Sequence, residues 1–368
     1  MNVSVDLEAR EDVPAWLAYG TPVFTVVGAL ALSSVALVAL SVDPVAAYGT
    51  MFVETLTNPF GLRQTATRTV PLVLTGLAVY LPLRAGLWNV GAEGQLYMGA
   101  VVGTWIGLNV SLPMAALIPL AVLGAGVAGG LWAGIPGYLR AKWDINEIIT
   151  SLLLTFVAIQ VASYLVRGPM QGGLGNIPGS AQLPAAAEFP PIPVLDVHAG
   201  FLVGLLAVAA TAVLVARTRV GFEISFVGSN PLAAAQAGMS TARVYLFVFL
   251  VGGAFAGIAG FNEISGVQGR LRPAFSPDYG FTAIPVALLG RNGAVRVLLA
   301  AAFFALLFVG GSRLEVSYGV PAALVDVIQA LVILCLITAE FFKRYSVDVA
   351  VERGSDPAPA DGEPGGAA

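Results

Sequence analysis

Ten apolar runs set what this chain can fold into. They fall at about residues 21–41, 66–85, 94–110, 114–136, 146–166, 199–216, 243–264, 276–290, 295–311 and 320–340, and most approach the ~20 residues a helix needs to cross a bilayer. Only 11% of the 368 residues are charged, 57% are in the hydrophobic class, and mean hydropathy is +0.83. A soluble domain carries about 25% charged residues. In lipid every backbone N–H and C=O must be satisfied internally, so runs of this length become helices. The expected fold is an all-α integral membrane protein of about ten transmembrane helices. The third, eighth and ninth runs are short, which points to short or broken helices among them.

Positive charge sets the expected orientation. With the N-terminus inside, twelve Lys and Arg fall on the cytoplasmic side, among them Arg84, Arg140, Lys142, Arg217 and Arg243. Six fall outside, including Arg63, Arg68 and Arg313. Both termini are therefore expected in the cytoplasm of a multi-pass cell-membrane protein. The division is a cytoplasmic segment 1–20, a transmembrane region 21–340 and a polar tail 341–368 with no apolar periodicity, expected to be disordered. The external loop 167–198 holds six prolines and reads as extended or turn-rich. The cytoplasmic loop 217–242 reads as structured.

Several chemistries are excluded. Cys335 is the one cysteine and lies in an apolar run, so no internal disulfide can form. His198 is the one histidine, which removes His-based catalysis and histidine metal clusters. No GxxxxGK[ST] is present, so the chain binds no nucleotide through a phosphate loop and needs no cofactor of its own. No Ser/His/Asp set or HExxH occurs, and a nucleic-acid partner has no basic patch to meet.

The polar residues inside the apolar pattern are the candidates for function. The stretch Gly86–Ala100, GLWNVGAEGQLYMGA, places Asn89, Glu93 and Gln95 among glycines. A carboxylate at a membrane boundary is expensive unless it meets water, a partner or a helix N-terminus. Two readings stand: a broken helix beside a transport path, or a solvated cytoplasmic turn. In the last run Asp326 and Gln329 are three apart and share a helical face; they face either a water-filled path or another helix. Asp144 and Glu147 have capping-box spacing at the start of the fifth run. Asn262 and Glu263 end the seventh run at the outer interface.

In the loop, RTRVGFEISFVGSNPLAAAQAGMSTAR, Asn230 is an N-cap with Pro231 at the first helical position. Gly238 can close the short helix in the left-handed conformation, and Ser240 or Thr241 caps the next one. A small-sided, capped helix lets another protein's backbone approach closely.

Four segments in order carry a resemblance. WNVGAEGQ, DINEIITSLLLTFVA (144–158), the 228–238 loop and GFTAIPVALLGRNGAVR (280–296) resemble motifs of permease subunits of binding-protein-dependent ABC importers, in the branch for simple sugars and nucleosides. The similarity runs from about Gly61 to Glu340. It implies a channel subunit that is not itself an enzyme, with ATP bound and hydrolysed by a separate ATPase subunit. It further implies a second related permease, giving a heterodimer, and an external substrate-binding protein. Residues Gly228, Asn230, Pro231, Ala234, Ala235 and Gly238 would couple to the ATPase. Asn89, Glu93, Gln95, Asp326 and Gln329 would lie on the substrate pathway. The alternative is a proton-coupled secondary transporter with Glu93 or Asp326 as carrier, working alone; a passive pore is a third class.

Overall fold

The computed structural model describes residues 2–9, 15–172, 178–193 and 196–352. In chain order the elements begin with β1 (Asn2–Ala9), α1 (Ala15–Ala39), α2 (Pro44–Tyr48), α3 (Thr55–Thr57), α4 (Pro59–Arg84) and α5 (Ala92–Asn109). Next come α6 (Met114–Trp143), α7 (Glu147–Arg167), β2 (Pro191–Ile192), β3 (Val197–His198), α8 (Gly200–Arg217), α9 (Arg219–Ser229) and α10 (Pro231–Gln236). The chain continues through α11 (Thr241–Glu263), α12 (Tyr279–Leu289), α13 (Ala294–Tyr318), α14 (Ala322–Arg344) and β4 (Tyr345–Glu352). Among these helices α4, α6, α7, α8, α11 with its extension, and α13 are long and apolar enough to cross a membrane. Shorter apolar stretches in α1, α12 and α14, together with α5, complete the ten expected segments.

Helix α4 is the hub. It packs against α11, α13, α12 and α8, and most of its length is buried. Its entry is fixed locally: the Asn58 side chain accepts from the Phe60 N–H at 2.9 Å, and Pro59 takes the first helical position. Thr65, Thr69 and Thr75 satisfy their hydroxyls on carbonyls four residues back, so a buried helix carries them at little cost.

Beside it, α5, α6 and α11 pack backbone to backbone. A Cβ on Gly99 would lie 2.2 Å from Gly257 Cα, and one on Gly129 would lie 2.3 Å from the Gly253 carbonyl. Lipid offers no hydrophobic drive between helices, so such small-residue contacts carry their association by van der Waals packing.

The structure departs from the sequence reading in several places. The ninth segment is not short: α13 has 25 residues. The eighth is shorter than expected, since α12 has 11 residues and spans about 16 Å, half of a hydrocarbon core of about 30 Å. Helix α9, between the loop's first arginines and Asn230, was not anticipated. The tail is not wholly irregular: α14 runs to Arg344, and Tyr345–Glu352 pairs antiparallel with Asn2–Ala9. The rest of the tail, 353–368, lies outside the described residues. Asp144 and Glu147 form no capping box. Asp144 ends α6 at φ 54, while Asn146 caps α7 by accepting from Ile148 and Ile149. Asn262 and Glu263 are buried, not interfacial.

Candidate functional site

Two irregular segments enter the bundle from opposite ends and meet inside it. At the end that gathers Arg84, Arg140, Lys142 and Arg217, the chain leaves α4 at Arg84 and folds back along it. Asn89 donates to the Ala78 carbonyl at 3.1 Å. Ala78 is six residues, about 9 Å, up the helix from Arg84, so α5 begins well inside the protein. From the other end, residues 269–278 descend to α12, whose first residues lie at the same depth: Thr75 of α4 donates to the Tyr279 carbonyl at 3.4 Å.

Asn89, Glu93 and Gln95 are each 1% exposed. Two amides close on one another, with Gln95 donating to Asn89 at 2.7 Å and Asn89 donating back at 3.0 Å. Asn89 also accepts from the Gly91 N–H at 3.2 Å, where the backbone has left α4 and not yet entered α5. The pair thus satisfies groups that the break in the helix frees. Glu93 accepts from the Gly280 N–H at 2.5 Å, at the start of α12. The Ser276 hydroxyl is a further partner of its carboxyl group. The stretch is therefore no solvated turn. These three residues also do not line the cavities below; their polar atoms are directed into protein.

Asp326 and Gln329 lie elsewhere, and the fold gives them a setting. Both line a cavity of about 600 Å³ between α4, α12, α13 and α14, together with Arg68, Asp278, Glu315 and Thr282. Among the described residues none of these four charged groups has an ion-pair partner within 4 Å. Asp326 is exposed, one turn into the apolar stretch Ala322–Cys335 of α14. An exposed charge on a membrane helix must meet water or another polypeptide. A second cavity of about 460 Å³ continues toward the end opposite the basic one, lined by Glu54, Gln64, Arg313 and Ser317. Arg68 and Ser312 belong to both, so the two cavities adjoin at those side chains. Arg68 and Glu315 were missed in the sequence; their helical spacing relative to Asp326 is invisible because they come from different helices.

At the basic end α10 forms as its caps dictate. The Asn230 side chain accepts from the Ala233 N–H at 2.9 Å, and Gly238 turns the chain at φ +80. Leu232 is 77% exposed, and Ala235 is exposed beside it. Ala234 is fully buried against the chain itself, so it cannot form part of a docking surface. Gly228 belongs to α9, where a Cβ would lie 2.1 Å from the Arg84 carbonyl. It serves helix packing rather than the exposed face. Pro231 starts α10, and a cleft of about 240 Å³ opens next to it between Arg219, Phe222, Glu223, Met239 and Arg243. Phe222 is 57% exposed at its rim.

A chain with a broken-helix bundle, a cavity lined in part by charged side chains and a small exposed helix at its basic end has the parts of a membrane permease. The family described as the branched-chain amino acid transport system permease component matches residues 61–337, and the chain belongs to it. It is 64% identical to a glucose ABC transporter permease of Haloferax volcanii, over 100% of both chains. It is 34% identical to a guanosine ABC transporter permease of Bacillus subtilis, over 80% of this chain and 85% of that one. A different guanosine permease of Bacillus subtilis matches at 24%, over 68% of this chain and 82% of that one. Proton-coupled transport has no support among these relatives.

Proposed function

We infer that this chain passes a hexose, glucose in the first instance, through the membrane as one of two permeases of an ABC importer. The observation that carries the substrate is the 64% identity to a glucose permease over the whole of both chains. A nucleoside is the second reading, since relatives named for guanosine match over most of their length. The second permease is supported twice. Two distinct guanosine permeases from one organism both resemble this chain. The exposed, unpaired Asp326, Asp278 and Glu315 also leave a polar wall that lipid cannot cover.

In this reading both termini and α9–α10 lie in the cytoplasm, where an ATPase subunit docks on α10. A binding protein delivers the solute at the opposite face, next to the cavity of Glu54 and Arg313. ATP is bound and split by the partner, and this chain contributes no catalytic group. The wall of Arg68, Asp278, Glu315, Asp326 and Gln329 offers donors and acceptors to hydroxyls of a neutral solute as it passes. Such hydrogen bonds orient a polyol without holding it tightly, which conduction requires.

The test is uptake in vesicles holding this chain, its partner permease, the ATPase subunits and the binding protein. Labelled glucose is expected to accumulate only with ATP and binding protein present. Accumulation of guanosine but not glucose would move the substrate to the second reading. Accumulation without ATP would remove the importer reading.

A further inference from the structure

Helix α12 begins inside the bundle; Asp278 precedes it at φ 61 and makes no capping bond, and Ser276 accepts from the Tyr279 N–H at 3.2 Å, which leaves the next N–H, that of Gly280. The first N–H groups of a helix are unpaired and carry the positive end of its dipole. Glu93, 187 residues away in the chain, supplies the acceptor through its bond to Gly280. The approach is so close that a Cβ at Gly280 would lie 2.1 Å from the Glu93 backbone nitrogen. The same turn of α12 presents Asp278 and Thr282 to the cavity.

Following the chain backward from Glu93 leads to the basic end. The 84–91 segment is tied there by three contacts. The Trp88 N–H donates to Glu147 at 3.3 Å, and Glu147 in turn meets Arg140 at 3.4 Å. Arg84 donates to Ser225 of α9 at 2.8 Å. Gly228, also of α9, lies against the Arg84 carbonyl. One residue after α9 comes Asn230, the cap of α10. A run of hydrogen bonds and backbone contacts thus joins the exposed helix α10 to the cavity turn of α12.

We propose that Glu93 is a positioning residue that makes α12 follow α9 and α10, so that movement at the cytoplasmic surface reaches the cavity through residues 84–95. This rests on the reading of α10 as the ATPase docking element. Packed interiors transmit displacement because they hold few voids to absorb it. A hydrogen bond from an N–H to a carboxyl group is among the stronger ties available. Spatial continuity alone does not demonstrate coupling, so the test reads coupling itself.

The complete transporter is reconstituted, and glucose uptake is measured with basal and binding-protein-stimulated ATP hydrolysis. Glu93→Ala is expected to leave basal hydrolysis unchanged while stimulated hydrolysis and uptake fall about tenfold, as for loss of a buried hydrogen bond that leaves its partner unpaired. Glu93→Gln, which keeps an acceptor oxygen, falls between. Ser225→Ala, at the far end of the link, lowers stimulation as well. The double variant Ser225→Ala with Glu93→Gln is expected to be no worse than Glu93→Gln alone, because both changes break one link. Distant sites otherwise act additively. Additive losses, or wild-type stimulation in Glu93→Ala, overturn the proposal. If Glu93→Ala does not assemble, the double-variant comparison decides. Absence of stimulated uptake in the wild type would instead count against the functional reading.

Discussion

At the scale of single residues, polar side chains in this protein divide by whether their partners are inside the chain. Asn89 and Gln95 have theirs, since each amide faces the other and Asn89 also holds Ala78 and Gly91. Asn89→Ala should lower stability by about 1–3 kcal/mol because buried groups lose partners. A lowered thermal midpoint of the purified protein, with Asn89→Gln no better, is the expected result. Among the described residues Asp326 has no such partner, and in the proposed function it faces solute or a second permease. Asp326→Asn should reduce uptake about tenfold, the equivalent of one lost hydrogen bond of ~1.4 kcal/mol, with the thermal midpoint unchanged. His198 is a third case. Its two ring nitrogens lack hydrogen-bond partners, Phe189 lies 6.1 Å away ring to ring, and burial pushes its pKa down to about 4. The folded state therefore disfavours the proton that the unfolded chain takes up near pH 6.5. Stability from this site is complete above pH 6.5 and falls as pH drops toward 4. Hydrogen exchange in residues 178–193 should rise over that range in the wild type and stay flat in His198→Phe.

At the scale of elements, α10 illustrates how caps and burial assign different tasks to neighbouring alanines. Asn230, Pro231 and Gly238 set where the helix starts and stops. Its periodicity then turns Ala234 inward and Leu232 and Ala235 outward. Leu232→Asp or Ala235→Arg should weaken co-purification with the ATPase subunit and leave the fold intact. Ala234→Arg should instead destabilise the α9–α10 region, because a buried site of 0% exposure has no room for a long charged side chain. Equal effects of all three on co-purification, with equal melting behaviour, would remove the distinction. Helix α12 makes the complementary point. It is too short to span a bilayer, so its N-terminus must be satisfied by protein: Ser276 accepts from the Tyr279 N–H and Glu93 of α5 from the Gly280 N–H.

At the scale of the whole molecule, the ion pairs among the described residues lie away from the charged wall of the larger cavity. Arg140 meets both Asp144 and Glu147 at the basic end, whereas among the described residues Arg68, Asp278, Glu315 and Asp326 have no ion pair. The orientation proposed from charge has a direct test. Ala185→Cys, exposed in the 178–193 segment, should react with an impermeant thiol reagent from outside once Cys335 is Ser. Reaction only after the membrane is opened would reverse the orientation.

Chain composition and periodicity determined the mostly helical membrane fold, because lipid leaves an apolar run few other ways to satisfy its backbone. Local chemistry also determined α10, since its caps lie within nine residues of one another in the chain. The burial of Asn89, Glu93 and Gln95 was half visible: glycines and polar groups announced irregular backbone, but not which partners it would find. Asn89 finds Gln95 six residues on and Ala78 eleven back, whereas Glu93 finds Gly280 across 187 residues, and no spacing rule predicts that contact. The same holds for the cavity, where Arg68, Asp278, Glu315 and Asp326 come from four separate parts of the chain. Periodicity places a residue on a face of its own helix; only tertiary packing decides which faces meet.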